Sequence, residues 1–339
     1  MRRTAIARTT EHARLRLAAL PFRNPNTTKG TALVGTPPEP ERAIDSQRGS
    51  RRSNRRLPKR AAIGRRSFTS TLKSLDELAA SGARLSVRVN DLDRGTAVLS
   101  GDDFVTLPIA GLGVVPLLIE VASAFETGAL DPLEIVDRSA VGPVGMGGVW
   151  QHLKAPAFPL ADLAVLTAAT GDATAANLLI ARVGLEAVRA RIEDLGLSRA
   201  ALLDIFRDER GPDDAPHVAL GSARELAEVF AALVNSKAVS PGVSAQVAEW
   251  LSLNHDLSLV ASATGLDPFA HENDEHGLLF INKTGRDAGI RVEAGVIAGP
   301  RAGVSYALIV CFDDLSITHR LRVHEAFRTL GVDLMEYVF

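Results

Sequence analysis

The sequence is short of several things at once, and each shortage removes a class of protein. Its 339 residues include a single cysteine, Cys311, so no internal disulfide can form. That cysteine lies within "YALIVCFDD" and reads as a small apolar residue of a strand. Aromatic residues are only 5% of the chain, so any core has to be built from Ala, Leu and Val. No apolar run reads as long enough to cross a bilayer, and no transmembrane segment is expected. A secretory leader is not matched either: Arg2 and Arg3 precede "LRLAALPF" (15–22), which is short, carries Arg16 and is broken by Pro21. A cytoplasmic protein is the resulting expectation. No internal repeat is visible.

The first 70 residues are also short of negative charge. They hold 17 Lys/Arg against 4 Asp/Glu, whereas the remainder holds 21 against 36, and the formal net charge of −2 hides this division. The stretch "SQRGSRRSNRRLPKRAAIGRR" (46–66) has no apolar periodicity and too little apolar surface to offset chain entropy. Residues 1–66 therefore read as a disordered basic tail. Two other readings of this head stand beside it: an arm making weak contact with nucleic acid or an anionic surface, and a segment ahead of the true start.

From residue 67 to 339 the pattern becomes that of one folded domain. "SFTSTLKSLDELAAS" (67–81) spaces Phe68, Leu72, Leu75 and Leu78 as a helix does, and Gly82 ends it. "ARLSVRVNDLDRGTAVLSGDD" (83–103) alternates like two strands around an Asp-Arg-Gly turn. About 108–260 is a run of apolar-striped helices. Three strands are expected near 277–284, 289–298 and 304–312, and a helix closes the chain. This order predicts an α+β fold: a five-stranded antiparallel sheet, terminal helices on one face, and a helical insert on the other.

Within the first of those late strands stands Lys283-Thr284-Gly285, in "GLLFINKTGRDAGIRVEAGVIAG" (277–299). A Lys-Thr-Gly strand is one of three signatures of penicillin-interacting serine enzymes, with Ser-x-x-Lys and Ser-Asp-Asn. "TGDATAANLLIARVG" (170–184) is similar to that family's Ser-Asp-Asn-Thr-Ala-Ala-Asn-Leu-Leu segment. It keeps Asp172 and Asn177 but carries Gly171 for the serine and Ala173 for the asparagine. "LPIAGLGVVPLLIEVASAFETGALD" (107–131) resembles Pro-x-x-Ser-x-x-Lys leading into an aliphatic helix, with Gly111 at the nucleophile and Val114 at the lysine. Over roughly 83–335 the chain thus resembles the class A β-lactamase fold of penicillin-recognising serine hydrolases. The sixty residues between Gly111 and Gly171 agree with that alignment.

The resemblance implies a serine activated by its lysine or by a glutamate acting through water. Glycine and valine supply neither oxygen nor base. Pro116 falls in the first turns of the same helix, where it threatens a kink. The family's glutamate loop should fall near 204–227, where no Glu-x-x-Leu-Asn occurs and Asp208 and Glu209 read as solvated carboxylates. Ser70 and Lys73 in "STLK" satisfy Ser-x-x-Lys literally, but they precede the first strand. What the resemblance leaves is binding apparatus. Lys283, Thr284 and Gly285 are candidate contacts for a ligand carboxylate. Asp172 and Asn177 join them as candidates, although Asp172 is also a favoured N-cap for the helix it precedes. Trp150 reads equally as cleft rim or core.

The implied ligand is a small carboxylate or β-lactam-like molecule, with no cofactor. "HENDEH" (271–276) gathers His271, Glu272, Asp274 and His276 but lacks the helical His-Glu-x-x-His frame, so no metal is expected. The sequence therefore reads as a serine hydrolase relative that is catalytically silent and keeps an anion-binding cleft. Two alternatives remain: a working β-lactam, amide or ester hydrolase with substituted machinery, and an interaction protein acting through its basic head.

Overall fold

The computed structural model describes residues 68–145, 147–269 and 277–339. The basic head and the "HENDEH" cluster, with the expectations attached to them, lie outside the described residues. Helix α1 (Thr69–Ala80) leads into strands β1 (Arg84–Asp91) and β2 (Thr96–Gly101). After the helical insert come β3 (Leu279–Asp287), β4 (Ile290–Ala298) and β5 (Gly303–Cys311), then the closing helix α8 (Ile317–Val338). The five strands form one antiparallel sheet in the order β2-β1-β5-β4-β3, as expected, which leaves the Lys-Thr-Gly strand β3 at an edge.

Strand periodicity explains how one sheet serves two cores. Along β5, Val304, Tyr306, Leu308 and Val310 face the core shared with α1 and α8, while Ala307, Ile309 and Cys311 face the insert. Alternation of this kind fixes the register, because a slip of one residue would exchange every side chain between the two cores. Cys311 is buried there as the small apolar residue its context suggested. The terminal helices are tied together by Thr71, whose backbone N–H and hydroxyl both donate to Asp333 Oδ2, at 3.1 and 2.7 Å.

The insert contains six helices among the described residues: α2 (Val114–Thr127), α3 (Leu160–Thr170), α4 (Ala173–Val183), α5 (Leu185–Asp194), α6 (Ala223–Val234) and α7 (Pro241–Ser252). It is not all helical. Leu107–Pro108, Ala201–Leu202 and Ala219–Gly221 form a three-stranded sheet, and Ile135–Asp137 pairs with Ala157–Pro159. Strands of two or three residues are too short to show a period of two.

Helix α2 is the axis of the insert and packs against α3, α4, α5 and α7. With the 3₁₀ turn before it, the stretch Ala110–Thr127 is long and apolar enough to cross a bilayer, at a mean hydropathy of 1.4. That corrects the reading that no run is so long. Two-thirds of it is buried as core, which accounts for its composition. Pro116 sits in the first turn of α2, where its missing N–H leaves no intrahelical bond unmade, so the helix runs on through it. Side chains cap four of the others: Asp172 for α4, Ser222 for α6, Ser240 for α7 and Ser316 for α8.

Candidate functional site

A cleft of about 630 Å³ opens between the edge strand β3, the start of α2, the α3–α4 turn and the loop 204–218. That volume suits a small molecule. Its first wall is the Lys-Thr-Gly strand. Gly285 is demanded by close approach: a Cβ there would collide with the Ile109 carbonyl and lie 2.7 Å from Val292 Cγ1 and 2.9 Å from Leu112 N. Only glycine lets β3 press against the turn that starts α2.

Gly111 lies across from it. A Cβ at 111 would sit 3.6 Å from the Thr284 carbonyl oxygen and 3.7 Å from Gly285 Cα, which is ordinary contact. The position that aligns with a nucleophile therefore faces the Lys-Thr-Gly strand with room for a side chain and has none. Ala110, just before it, holds a left-handed φ of 45°, a strained conformation for a residue with a Cβ. Val114, one turn on, is buried and lines the cleft with methyl groups.

The third element is the turn between α3 and α4. Gly171 takes φ 64° as the left-handed end of α3, and Asp172 starts α4 at once, its carboxylate accepting from Ala175 N at 3.0 Å. The same carboxylate accepts from Trp150 N at 2.9 Å. Asp172 is therefore a cap and a clasp, buried behind the wall and outside the cleft lining. Asn177 is likewise absent from the cleft lining. Its amide donates to Phe206 O at 2.9 Å and accepts from Phe206 N at 2.8 Å, which anchors the loop 204–218 to α4. Trp150 is core: it is fully buried and its indole donates to Ala155 O at 2.9 Å, while its neighbour Val149 lines the cleft. Ala173 lines it as well.

Lys283 points into the floor. It is 2% exposed, and among the described residues its ammonium has one acceptor, the Ala168 carbonyl at 2.8 Å. A Cβ at Gly171 would lie 3.7 Å from Nζ, so glycine keeps that side open. Burial pulls the Lys283 pKa down to about 8, partly opposed by the nearby Asp256 charge. The ammonium is charged at neutral pH yet poorly solvated, a condition that an incoming anion relieves.

Thr284 is already engaged. Its hydroxyl donates to Asp256 Oδ2 at 2.6 Å, and the guanidinium of Arg286, on the same face of β3, pairs with Asp256 Oδ1. Arg286 also donates to Ser258 Oγ at 2.9 Å. Burial alone would raise the Asp256 pKa, but the Thr284 hydroxyl and the Arg286 charge outweigh it and hold the carboxyl below its usual value. The loop bearing Asp256 is pinned from beneath by a buried chain. Asn254 donates to Asn282 Oδ1 at 2.8 Å and Asn282 donates to Glu293 Oε1 at 2.8 Å. Tyr306 donates to the same oxygen at 2.6 Å, and Val260 N to Glu293 Oε2 at 2.7 Å. Burial pushes Glu293 up to about 7 in spite of these three donors.

The loop 204–218 turns arginines to the cleft where the resemblance implied a glutamate. Arg207 and Arg210 line it, both held by Asp204 at 3.1 and 2.9 Å. Asp208 instead accepts from Gly145 N, its two oxygens at 3.0 and 2.8 Å, and neither it nor Glu209 lines the cleft. Ser70 is on α1, across the sheet, and Lys73 is 79% exposed beside Glu77. Sequence reasoning missed Asp256, Arg286, Arg207 and Arg210. Only Arg286 had a local signal, since it follows Thr284 by two residues on one strand and so shares its face.

A fold that sets a Lys-Thr-Gly edge strand against the start of a buried helix defines a class, the penicillin-recognising serine hydrolases. The family model described as "Beta-lactamase enzyme family" matches residues 67–338, and the chain belongs to that family. No curated protein matches it in sequence. Among solved structures, a β-lactamase from Sphaerobacter thermophilus aligns at 20% identity and TM-score 0.69, over 80% of this chain and 97% of its own. PBP-A aligns at 18% and 0.66, over 79% and 95%. A β-lactamase from Xanthomonas campestris aligns at 16% and 0.65, over 80% and 98%. At these identities the likeness is one of fold.

Proposed function

We propose that this chain is a non-acylating member of the family, which binds a small carboxylate or β-lactam-like acid in the cleft and leaves it intact. The observation that carries this reading is Gly111, opposite Thr284 and Gly285 with space for a side chain and no oxygen in it. Acyl transfer needs a nucleophile activated by a neighbouring base, and Val114 at the lysine position has no proton acceptor. The relay serine is Gly171, and no carboxylate of the loop 204–218 lines the cleft. Binding groups remain: the poorly solvated Lys283 ammonium, with Arg286, Arg207 and Arg210 around it. A mutant of PBP-A, 18% identical, has been solved as an acyl-enzyme complex with penicillin G, which makes that compound the natural probe.

The test is intact-mass spectrometry of the purified full chain after incubation with benzylpenicillin, and separately with a fluorophosphonate. The expected result is an unchanged protein mass and penicillin recovered unopened. A penicilloyl increment on the wild type would sink the reading. Loss of that increment in Ser70→Ala would then place the nucleophile on α1.

A further inference from the structure

We propose that Asp256 is a built-in occupant of the carboxylate subsite and determines which acids the cleft accepts. The inference rests on the anion-binding reading above and adds a residue that competes with the ligand. A carboxylate is recognised by a hydroxyl and a guanidinium that converge on its two oxygens. On this wall that pair is Thr284 and Arg286, and both are spent on Asp256: Thr284 on Oδ2, Arg286 on Oδ1. The contact is long-range, 28 residues apart in sequence, so folding and not local chain geometry brings the acid to this place.

The occupant is also held. The Asp256 carbonyl accepts from the side chains of Asn254 and Asn282, each at 3.3 Å, and Asn282 is bonded in turn to the buried Glu293. The loop thus presents Asp256 from a rigid floor. Lys283 stands outside this arrangement, bonded to Ala168 O, with open space toward Gly171. The subsite is divided: one cation for the ligand, and a hydroxyl and a second cation for the chain's own acid. An incoming carboxylate on this wall meets Lys283 without the Thr284 and Arg286 pair, and it also meets the Asp256 charge. A ligand engaging all three groups has to displace Asp256.

The experiment is calorimetric titration of the full-length wild type, Asp256→Ala, Asp256→Asn and Asp287→Asn with benzylpenicillin and with its methyl ester. Asp287 also lines the cleft but makes no bond to Thr284, so it controls for charge alone. Vacating the subsite should tighten binding of the acid about tenfold or more in Asp256→Ala, the size of effect that a charge-assisted hydrogen-bonding pair supplies. Asp256→Asn, which keeps the volume and drops the charge, should fall between, and the ester should be bound alike by all four proteins. Thermal melting checks that each variant is folded. Wild type that binds the acid as tightly as Asp256→Ala, or an equal gain in Asp287→Asn, would overturn the inference and leave the anion cleft standing. Failure of all four proteins to bind the acid would overturn the cleft and this inference together.

Discussion

The two walls of the cleft match the family's signatures unequally. On the wall built from the start of α2 and the α3–α4 turn, the positions aligned with reacting groups are Gly111, Val114, Gly171 and Ala173, and none carries an oxygen or nitrogen in its side chain. On the facing wall Lys283, Thr284 and Gly285 are all present, joined by Arg286 and Asp256. The backbone of the first wall is nonetheless closely fitted to its neighbour: Ala110 takes a left-handed φ of 45°, and Gly285 allows β3 to abut the turn. The contrast teaches that the fold does not depend on the groups that do chemistry. What holds α2 in place is its apolar surface, buried against four helices, and the pairing of Leu107–Pro108 with Ala219–Gly221. The architecture stands without a side-chain oxygen or nitrogen at any of those four positions.

The sharpest way to break the comparison is to refill the empty wall. Gly111→Ser with Val114→Lys supplies a hydroxyl and the base three residues on, and the space at 111 accepts a Cβ without a clash. By penicilloyl mass increment over time, the double variant should acylate about a hundredfold faster than Gly111→Ser alone, since a positioned general base contributes roughly 10²–10⁴. Gly111→Ser alone should give at most a trace, because residues acting as one unit are not additive. Deacylation should stay slow, and the adduct long-lived. Equal rates in the single and double variants would show that position 114 does not serve the site.

A smaller effect separates what each wall does for stability. Gly285→Ala forces a methyl group into Ile109 and Leu112 backbone atoms and should cost about 1–3 kcal/mol in urea unfolding, the usual range for overpacking. Gly111→Ala meets only ordinary contacts and should stay within about 0.5 kcal/mol of wild type. A cost at 111 comparable to that at 285 would mean that the empty position is filled by packing after all.

These two glycines also mark how far the sequence could be read. The Lys-Thr-Gly strand and the Asp-x-Thr-Ala-Ala-Asn run were legible because each is a contiguous segment whose spacing survives folding. The sheet order followed from the alternation of the strands and the position of the insert. Asp256 was not legible: it lies in an irregular loop, and only the tertiary fold carries it to Thr284, with the Asn254, Asn282 and Glu293 chain as its support. In the 204–227 stretch Arg207 and Arg210 were not legible, since an arginine beside an aspartate in a polar loop looks the same whether it faces a cleft or water. Asn177 shows the opposite case. Its position within a shared motif suggested a ligand, whereas both of its amide atoms serve the Phe206 backbone.

The central claim, that the retained wall binds an acid through a buried ammonium, is tested most directly by the pH dependence of benzylpenicillin affinity. Lys283 has its pKa lowered to about 8 by burial, so it is charged at pH 7 and mostly neutral at pH 9. The ligand's acid and Asp256 stay ionised across that interval, while Glu293, pushed up to about 7 by burial, gains negative charge over it. Both changes act in one direction, and the sign is a loss of affinity as pH rises. Calorimetric titration of the wild type should show binding roughly tenfold or more weaker at pH 9 than at pH 7, the tenfold being what loss of the Lys283 proton alone supplies. Lys283→Ala should bind weakly at both values, with at most the small dependence that Glu293 leaves. Affinity that is level from pH 7 to 9 in the wild type, or unchanged by Lys283→Ala, would contradict the account.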